Sequence, residues 1–293
     1  MEEVERGAFL RTLETTNSEF DINNLESKFE IEIQEQDLED GELMEAVDVY
    51  LKFLDNSEGG TDYTTNETLI QTLLPSEFGE GPFGLPITDL RYNFQELLDF
   101  AQVDYANVAC KDQFEIRLDL RLSTGISFSE GNSSGCVLGI DTFFSSPFTY
   151  TINIVEPIGA DLFTGNYVYE SVLDGAFGPT WGPPLSVEIK KGRSDNLRTV
   201  TFDNFPLRNP RVYYFTIACD ESVIEKYQLR YNTYSFSCGE NGQPIIIGPD
   251  TQNATINPLD DSVFELWFVE GYEGFDGDFG FGTVPSRIRF TKQ

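Results

Sequence analysis

The chain has 293 residues, a formal net charge of −31 and no histidine. That length allows two ordinary domains, that charge repels phosphate backbones and anionic lipid surfaces, so nucleic acid is not an expected partner, and the missing imidazole removes Ser-His-Asp, Cys-His and His-ligated metal chemistry. Carboxylate chemistry and oxygen-ligated cations remain open.

Phe 25 and Tyr 13 against Met 2 is a composition of strands, and the predicted fold class is all-β. The acid is concentrated at the start, where residues 1–50 hold 16 Asp and Glu against 3 Lys and Arg. "MEEVERGAFL" has no apolar core of a signal peptide, and no run of 18 apolar residues exists to span a membrane as a helix. The protein is therefore expected either in the cytosol or as a mature form that begins after a processed leader.

In chain order, "SKFEIEIQEQ" sets Phe29, Ile31 and Ile33 on one face against Glu30, Glu32 and Gln34. "AVDVYLKF" does the same with Val47, Val49, Leu51 and Phe53, and "DQFEIRLDLRL" (112–122) with Phe114, Ile116, Leu118, Leu120 and Leu122. Such alternation marks strands of a sheet with one wet face. "NSEGGTDYTTNET" (56–68) and "PSEFGEGPFGLP" (75–86) read as exposed connections, and "NFQELLDFAQV" (93–103) as a short helix through Phe94, Leu97, Leu98 and Ala101. "PFTYTINIV" (147–155) closes the set. "VEPIGADLFTGNY" then resets the pattern, giving expected domains at 1–157 and 158–293. The second contains about eight short strands separated by turn signals, a sandwich or small barrel.

The four cysteines contain no CxxC pair, and their spacing predicts two local disulfides, Cys110–Cys136 and Cys219–Cys238, with buried thiols as the alternative. The disulfide reading favours the exported form over the cytosolic one.

Between the first two strands, "QDLEDGELMEAV" gathers Glu35, Asp37, Glu39, Asp40 and Glu42. Glu35, Asp37, Asp40 and Glu42 are a candidate Ca²⁺ ligand set on a turn that Gly41 can sharpen, with a solvated turn as the plainer alternative. "EGYEGFDGDFGFG" (270–282) offers Tyr272, Phe275 and Phe279, and "FGPTWGPP" offers Trp181, as flat faces for sugar rings. The alternative in each case is core packing, and Trp267, inside "FELWFVE", is expected to be packed. Asp260 and Asp261 are acids of the type a glycosidase needs across a sugar bond. "NET" (66–68), "NSS" (132–134) and "NAT" (253–255) match a eukaryotic glycosylation signal that has meaning only in such a host.

"GAFLRTL", "FEIEIQEQDLEDGELMEAVDVYLKFLDN", "DQFEIRLDLRLSTGISFS" and "FFSSPFTYTINIVEP" together resemble the amino-terminal immunoglobulin-like domain of surface-exposed lipoproteins of the Bacteroidota, over residues 7–157. Those are similar to the SusE-like accessory glycan-binding proteins of starch-utilisation-type systems. The second half is similar to the β-sandwich or calycin-like barrel modules that follow such domains. The resemblance implies a non-enzymatic protein at the cell surface of the outer membrane, held by an N-terminal lipid, beside a TonB-dependent transporter and its SusD-like lipoprotein, with a glycan as ligand. It implies a lipid-bearing cysteine upstream of, or in place of, Met1, ahead of the acidic "EEVE". "DSV" (261–263) resembles the O-glycosylation motif of that phylum and would place a glycan on Ser262. The competing expectations are a structural or adhesive spacer and a carboxylate-based glycoside hydrolase.

Overall fold

A computed structural model describes residues 7–57, 59–140, 144–204, 209–231, 245–274 and 280–293; Cys238, Phe275 and Phe279 lie outside them. The chain forms two compact units, Met1–Leu138 with Thr142–Ile154, and Gly139–Asp141 with Val155–Gln293. The break after Ile154 lies beside the Pro157 and Gly159 that reset the sequence pattern. The short return at 139–141, where Ile140 N–H donates to Tyr227 O at 2.8 Å, has no such signal.

The first unit is a two-sheet sandwich. Its strands are β1 (Phe9–Asn17), β2 (Glu19–Asp21), β3 (Lys28–Gln36), β4 (Met44–Leu54), β5 (Thr68–Leu73), β6 (Gly79–Glu80), β7 (Pro86–Asn93), β8 (Gln113–Leu122), β9 (Ser127–Phe128) and β10 (Thr149–Val155). One sheet has the order β1-β3-β7-β6, the other β2-β10-β8-β4-β5 with β9 paired to β8. Naming the strands A to G in chain order makes this A-B-E-D over A′-G-F-C-C′, the arrangement of an immunoglobulin-like domain. β8 alternates perfectly between half-buried and buried residues along its length, as an antiparallel strand with one wet face must. No disulfide is needed between β3 and β8, where immunoglobulins place one; Phe29 and Ile31 on the first and Phe114 and Ile116 on the second fill that space. The helix Phe94–Ala101 crosses between β7 and β8. Asn93 caps it through a 2.8 Å bond from Glu96 N–H, Glu96 returns a 2.7 Å bond to Asn93 N–H, and the Phe94 ring stacks on Phe20 at 4.9 Å.

The second unit is one curled, ten-stranded antiparallel sheet. It comprises β11 (Gly165–Leu173), β12 (Leu185–Lys191), β13 (Leu197–Asn204), β14 (Asn209–Ala218), β15 (Glu221–Ile224), β16 (Gln228–Tyr231), β17 (Ile245–Pro249), β18 (Ala254–Thr255), β19 (Val263–Glu270) and β20 (Val284–Lys292), in the order β16-β17-β19-β20-β11-β12-β13-β14-β15-β18. Side chains tie the ends of this sheet back onto it. Gln228 of β16 stands in for a neighbouring strand by accepting from Tyr214 N–H at 2.6 Å and donating to Tyr214 O at 2.8 Å, and Ser222 Oγ of β15 donates to Glu265 O of β19 at 2.6 Å. The inside of the curl is filled by aromatic and branched residues, among them Tyr167, Tyr169, Phe202, Phe215, Phe264 and Phe290. The fold is all-β throughout.

Candidate functional site

Asp37 organises the acidic turn between β3 and β4. Its Oδ1 accepts from the N–H groups of Glu39 at 2.7 Å and Gly41 at 2.9 Å, and its Oδ2 from Leu43 N–H at 2.9 Å. Asp40 and Gly41 both take left-handed backbone, φ 56° and 97°, and a Cβ on Gly41 would lie 2.4 Å from Pro86 Cγ, so only glycine fits there. Asp40 and Glu42 point into water. Glu35 is fully buried, and no donor group reaches either of its oxygens. Burial first, and then the nearby Asp37 carboxylate, push its pKa up to about 8.

The Ca²⁺ set of Glu35, Asp37, Asp40 and Glu42 is therefore not assembled. Asp37 is spent on the backbone, Glu35 favours its proton, and no group of three or more Asp, Glu or Cys able to hold a metal occurs among the described residues. The turn is neither wholly wet nor a metal loop: a self-capped anionic turn covers one buried carboxyl.

Trp181 is also corrected. It is 3% exposed and lies inside the curled sheet, stacked on Phe202 at 4.1 Å and on Phe268 at 5.1 Å, with its Nε1–H unpartnered. The connection at 174–184 turns inward for a chemical reason. Glu270, fully buried at the end of β19, accepts from Ala176 N–H at 3.0 Å, from Thr180 Oγ1 and from the Arg230 guanidinium, while Tyr169 OH donates to Pro183 O at 2.8 Å. Gly175 permits this approach, since a Cβ there would sit 2.2 Å from Glu270 Oε1. Tyr272 is half-buried, its ring lying over Gly248 and edge-on to Tyr227 at 5.4 Å. Phe281 packs edge-on to Phe177 at 5.4 Å. Trp267, half-buried on β19, lies under the Arg287 guanidinium at 3.9 Å, as a packed strand residue should. Trp181 and Tyr272 thus do not form one exposed platform.

Asp260 and Asp261 do different work. Asp261 accepts from Phe163 N–H at 2.7 Å, Tyr167 OH at 2.9 Å and Lys292 Nζ, whereas exposed Asp260 accepts from Ser262 N–H at 3.0 Å. Bonds to Lys292 and Tyr167 hold Asp261 below the ordinary carboxylate range against the opposing effect of burial. Ser262 itself is exposed at the head of β19.

Cys110, Cys136 and Cys219 are all disulfide-bonded, whereas Cys238 lies outside the described residues. Cys110 sits in the connection ahead of β8 and Cys219 in a left-handed turn after β14, φ 62°.

One surface was not singled out by the sequence. Three connections gather at one end of the first unit: β3–β4, β6–β7 and β8–β9. Gln34 Nε2 donates to Pro82 O at 3.2 Å, Pro86 packs on Gly41, and Ser123 N–H donates to Leu43 O at 2.8 Å. Each connection carries an exposed apolar side chain: Leu38 at 52%, Phe83 at 95% and Ile126 at 41%. Phe83 is held in left-handed backbone, φ 63°, between Pro82 and Gly84, and the bonds Gly81 N–H to Leu85 O (2.9 Å) and Gly84 N–H to Gly81 O (3.2 Å) fix the turn beneath it. An aromatic in the glycine- and proline-rich "GPFGLP" was the available signal.

No family model and no curated protein matches this chain. Among solved structures, the sporulation control protein Spo0M from Bacillus subtilis is similar at 11% identity over 97% of this chain and 90% of that one, with a TM-score of 0.25. A likeness of that size carries no argument.

Proposed function

We propose that this protein is a non-enzymatic binding subunit at the cell surface, an accessory component of an outer-membrane nutrient uptake complex. In this reading it is anchored by an N-terminal lipid beside a TonB-dependent transporter and a SusD-like lipoprotein. The observation that carries the binding reading is the loop end of the first unit, where Phe83 is displayed to water on a rigid turn. An apolar side chain held out in this way is an anchor for a partner and adds nothing to the core. The paired cysteines favour an oxidising compartment outside the cytoplasm. Against catalysis stand the internal duties of the notable carboxylates: Asp37 caps a turn, Asp261 holds a lysine and a tyrosine, and Glu270 faces a guanidinium.

Within this reading, burial of Trp181 and packing of Tyr272 turn attention from a glycan to protein contact, and they favour a spacer role for the second unit. The test is purification of the native lipidated protein from outer membranes in mild detergent. Stoichiometric recovery with a TonB-dependent transporter is expected, and recovery alone would overturn the accessory role.

A further inference from the structure

The reading of this chain as a binding subunit leaves open which surface binds and what it accepts. We infer that the loop end bearing Leu38, Phe83 and Ile126 docks a cationic protein surface that offers an apolar pocket to Phe83. This inference rests on the binding-subunit reading and specifies its interface.

Phe83 is preorganised for contact. A flexible loop must be ordered when it binds, and that ordering weakens the complex. Phe83 needs little ordering. Pro82 and Pro86 flank it closely, Gly81 faces Ile87 so tightly that a Cβ would lie 2.2 Å from Ile87 Cγ2, and Gln34 reaches over from β3 to hold the Pro82 carbonyl. A non-glycine residue with positive φ and a 95% exposed aromatic side chain gains nothing inside the domain from its conformation. The conformation makes sense as display.

The surroundings of Phe83 are anionic. The three connections, 37–43, 79–86 and 123–126, contain Asp37, Glu39, Asp40, Glu42 and Glu80 and no Lys or Arg. Of these acids only Asp37 is buried. Four exposed carboxylates therefore rim the apolar tips, the pattern of a central anchor inside a polar rim. Such a rim attracts Lys and Arg and repels anionic lipid. It also repels a second copy of this chain, whose net charge is −31.

The test places p-benzoylphenylalanine at position 83 of the full chain in the cells that produce it, with position 259 as the comparison, since Leu259 is 83% exposed in the second unit. After irradiation, the cross-linked peptide is identified by mass spectrometry. The expected product joins position 83 to a protein segment that combines apolar residues with Lys or Arg, with a yield that falls in about 0.5 M salt. Position 259 should give no such product. Phe83→Ser in the otherwise native protein should lower recovery of that partner at least ten-fold, about 1.4 kcal/mol of binding.

Products at position 83 that contain lipid, a second copy of the chain, or an acidic segment would overturn the inference, and so would equal products from both positions. A transporter that still co-purifies while position 83 stays unlinked would leave the subunit reading intact and remove this docking face. Loss of both would remove the subunit reading as well.

Discussion

Glu270 closes β19 in the second unit, and Glu35 stands one residue short of the end of β3 in the first; each is cut off from water, yet their surroundings are opposite. Glu270 meets a guanidinium, a hydroxyl and a backbone amide. Glu35 meets no donor, and the carboxylate nearest to it is that of Asp37. Burial by itself thus does not say what a carboxyl is for; the groups it is buried with decide. In the second unit the buried charge pins a connection and, through it, Trp181. In the first it stores a proton under a turn.

The largest expected effect comes from unpairing Glu270. Arg230→Met leaves a bare charge in the core and should destabilise the second unit by about 3–5 kcal/mol, read from urea unfolding. Replacing both partners, Arg230→Met with Glu270→Leu, should recover only part of that loss, because the bare charge is gone but Ala176 N–H and Thr180 Oγ1 lose their acceptor. A single variant that loses less than about 1 kcal/mol would show that Arg230 is not what answers Glu270, and the contrast between the two glutamates would collapse.

Glu35→Gln should act in the other direction. A folded-state pKa of about 8 against the ordinary 4.5 means that the native protein keeps a proton the unfolded chain has lost. Stability therefore falls as pH rises through that window, by at most about 1.4 kcal/mol per pH unit, and the loss is absent below the unfolded value. The variant, which cannot ionise, should be more stable than the native chain by roughly 3 kcal/mol near neutral pH and equal to it near pH 4. Unfolding curves that run parallel across this range would mean that Glu35 is solvated and ordinary.

Asp37→Ala removes the acceptor for three backbone N–H groups and should cost about 2 kcal/mol, less than the loss of a buried ion pair. Because the same oxygens are occupied by backbone, millimolar CaCl₂ should leave the melting temperature of the native chain unchanged. A rise that vanishes in Asp37→Ala would restore calcium to this turn.

The strands were legible because one face of each is wet: Phe114 to Leu122 alternate with Glu115, Arg117, Asp119 and Arg121, and the structure buries the first set. Helix Phe94–Ala101 was legible from its apolar spacing. Partners far apart in the chain were not. Nothing near Trp181 announces that Glu270, 89 residues on, will draw its connection inward. The acidic turn misled for a related reason. Carboxylates that could face a cation and carboxylates that cap a backbone look alike in sequence, and only the amides of Glu39, Gly41 and Leu43 separate the two.

The smallest effect concerns Trp181 itself. Its Nε1–H is buried without a partner, so indole polarity contributes nothing to the site, and stacking against Phe202 and Phe268 is what a ring supplies there. Trp181→Phe keeps a ring and removes the unsatisfied donor, and the lost contact area and the relieved N–H oppose each other. A change of less than about 1.5 kcal/mol is expected in urea unfolding, well below the about 3–5 kcal/mol of Trp181→Ala, in which a cavity replaces the ring. If Trp181→Phe were as damaging as Trp181→Ala, the indole N–H would have to be bound in solution. The inside of the curled sheet would then hold a polar group that shares this tryptophan, and the second unit would return to consideration as a ligand-binding module.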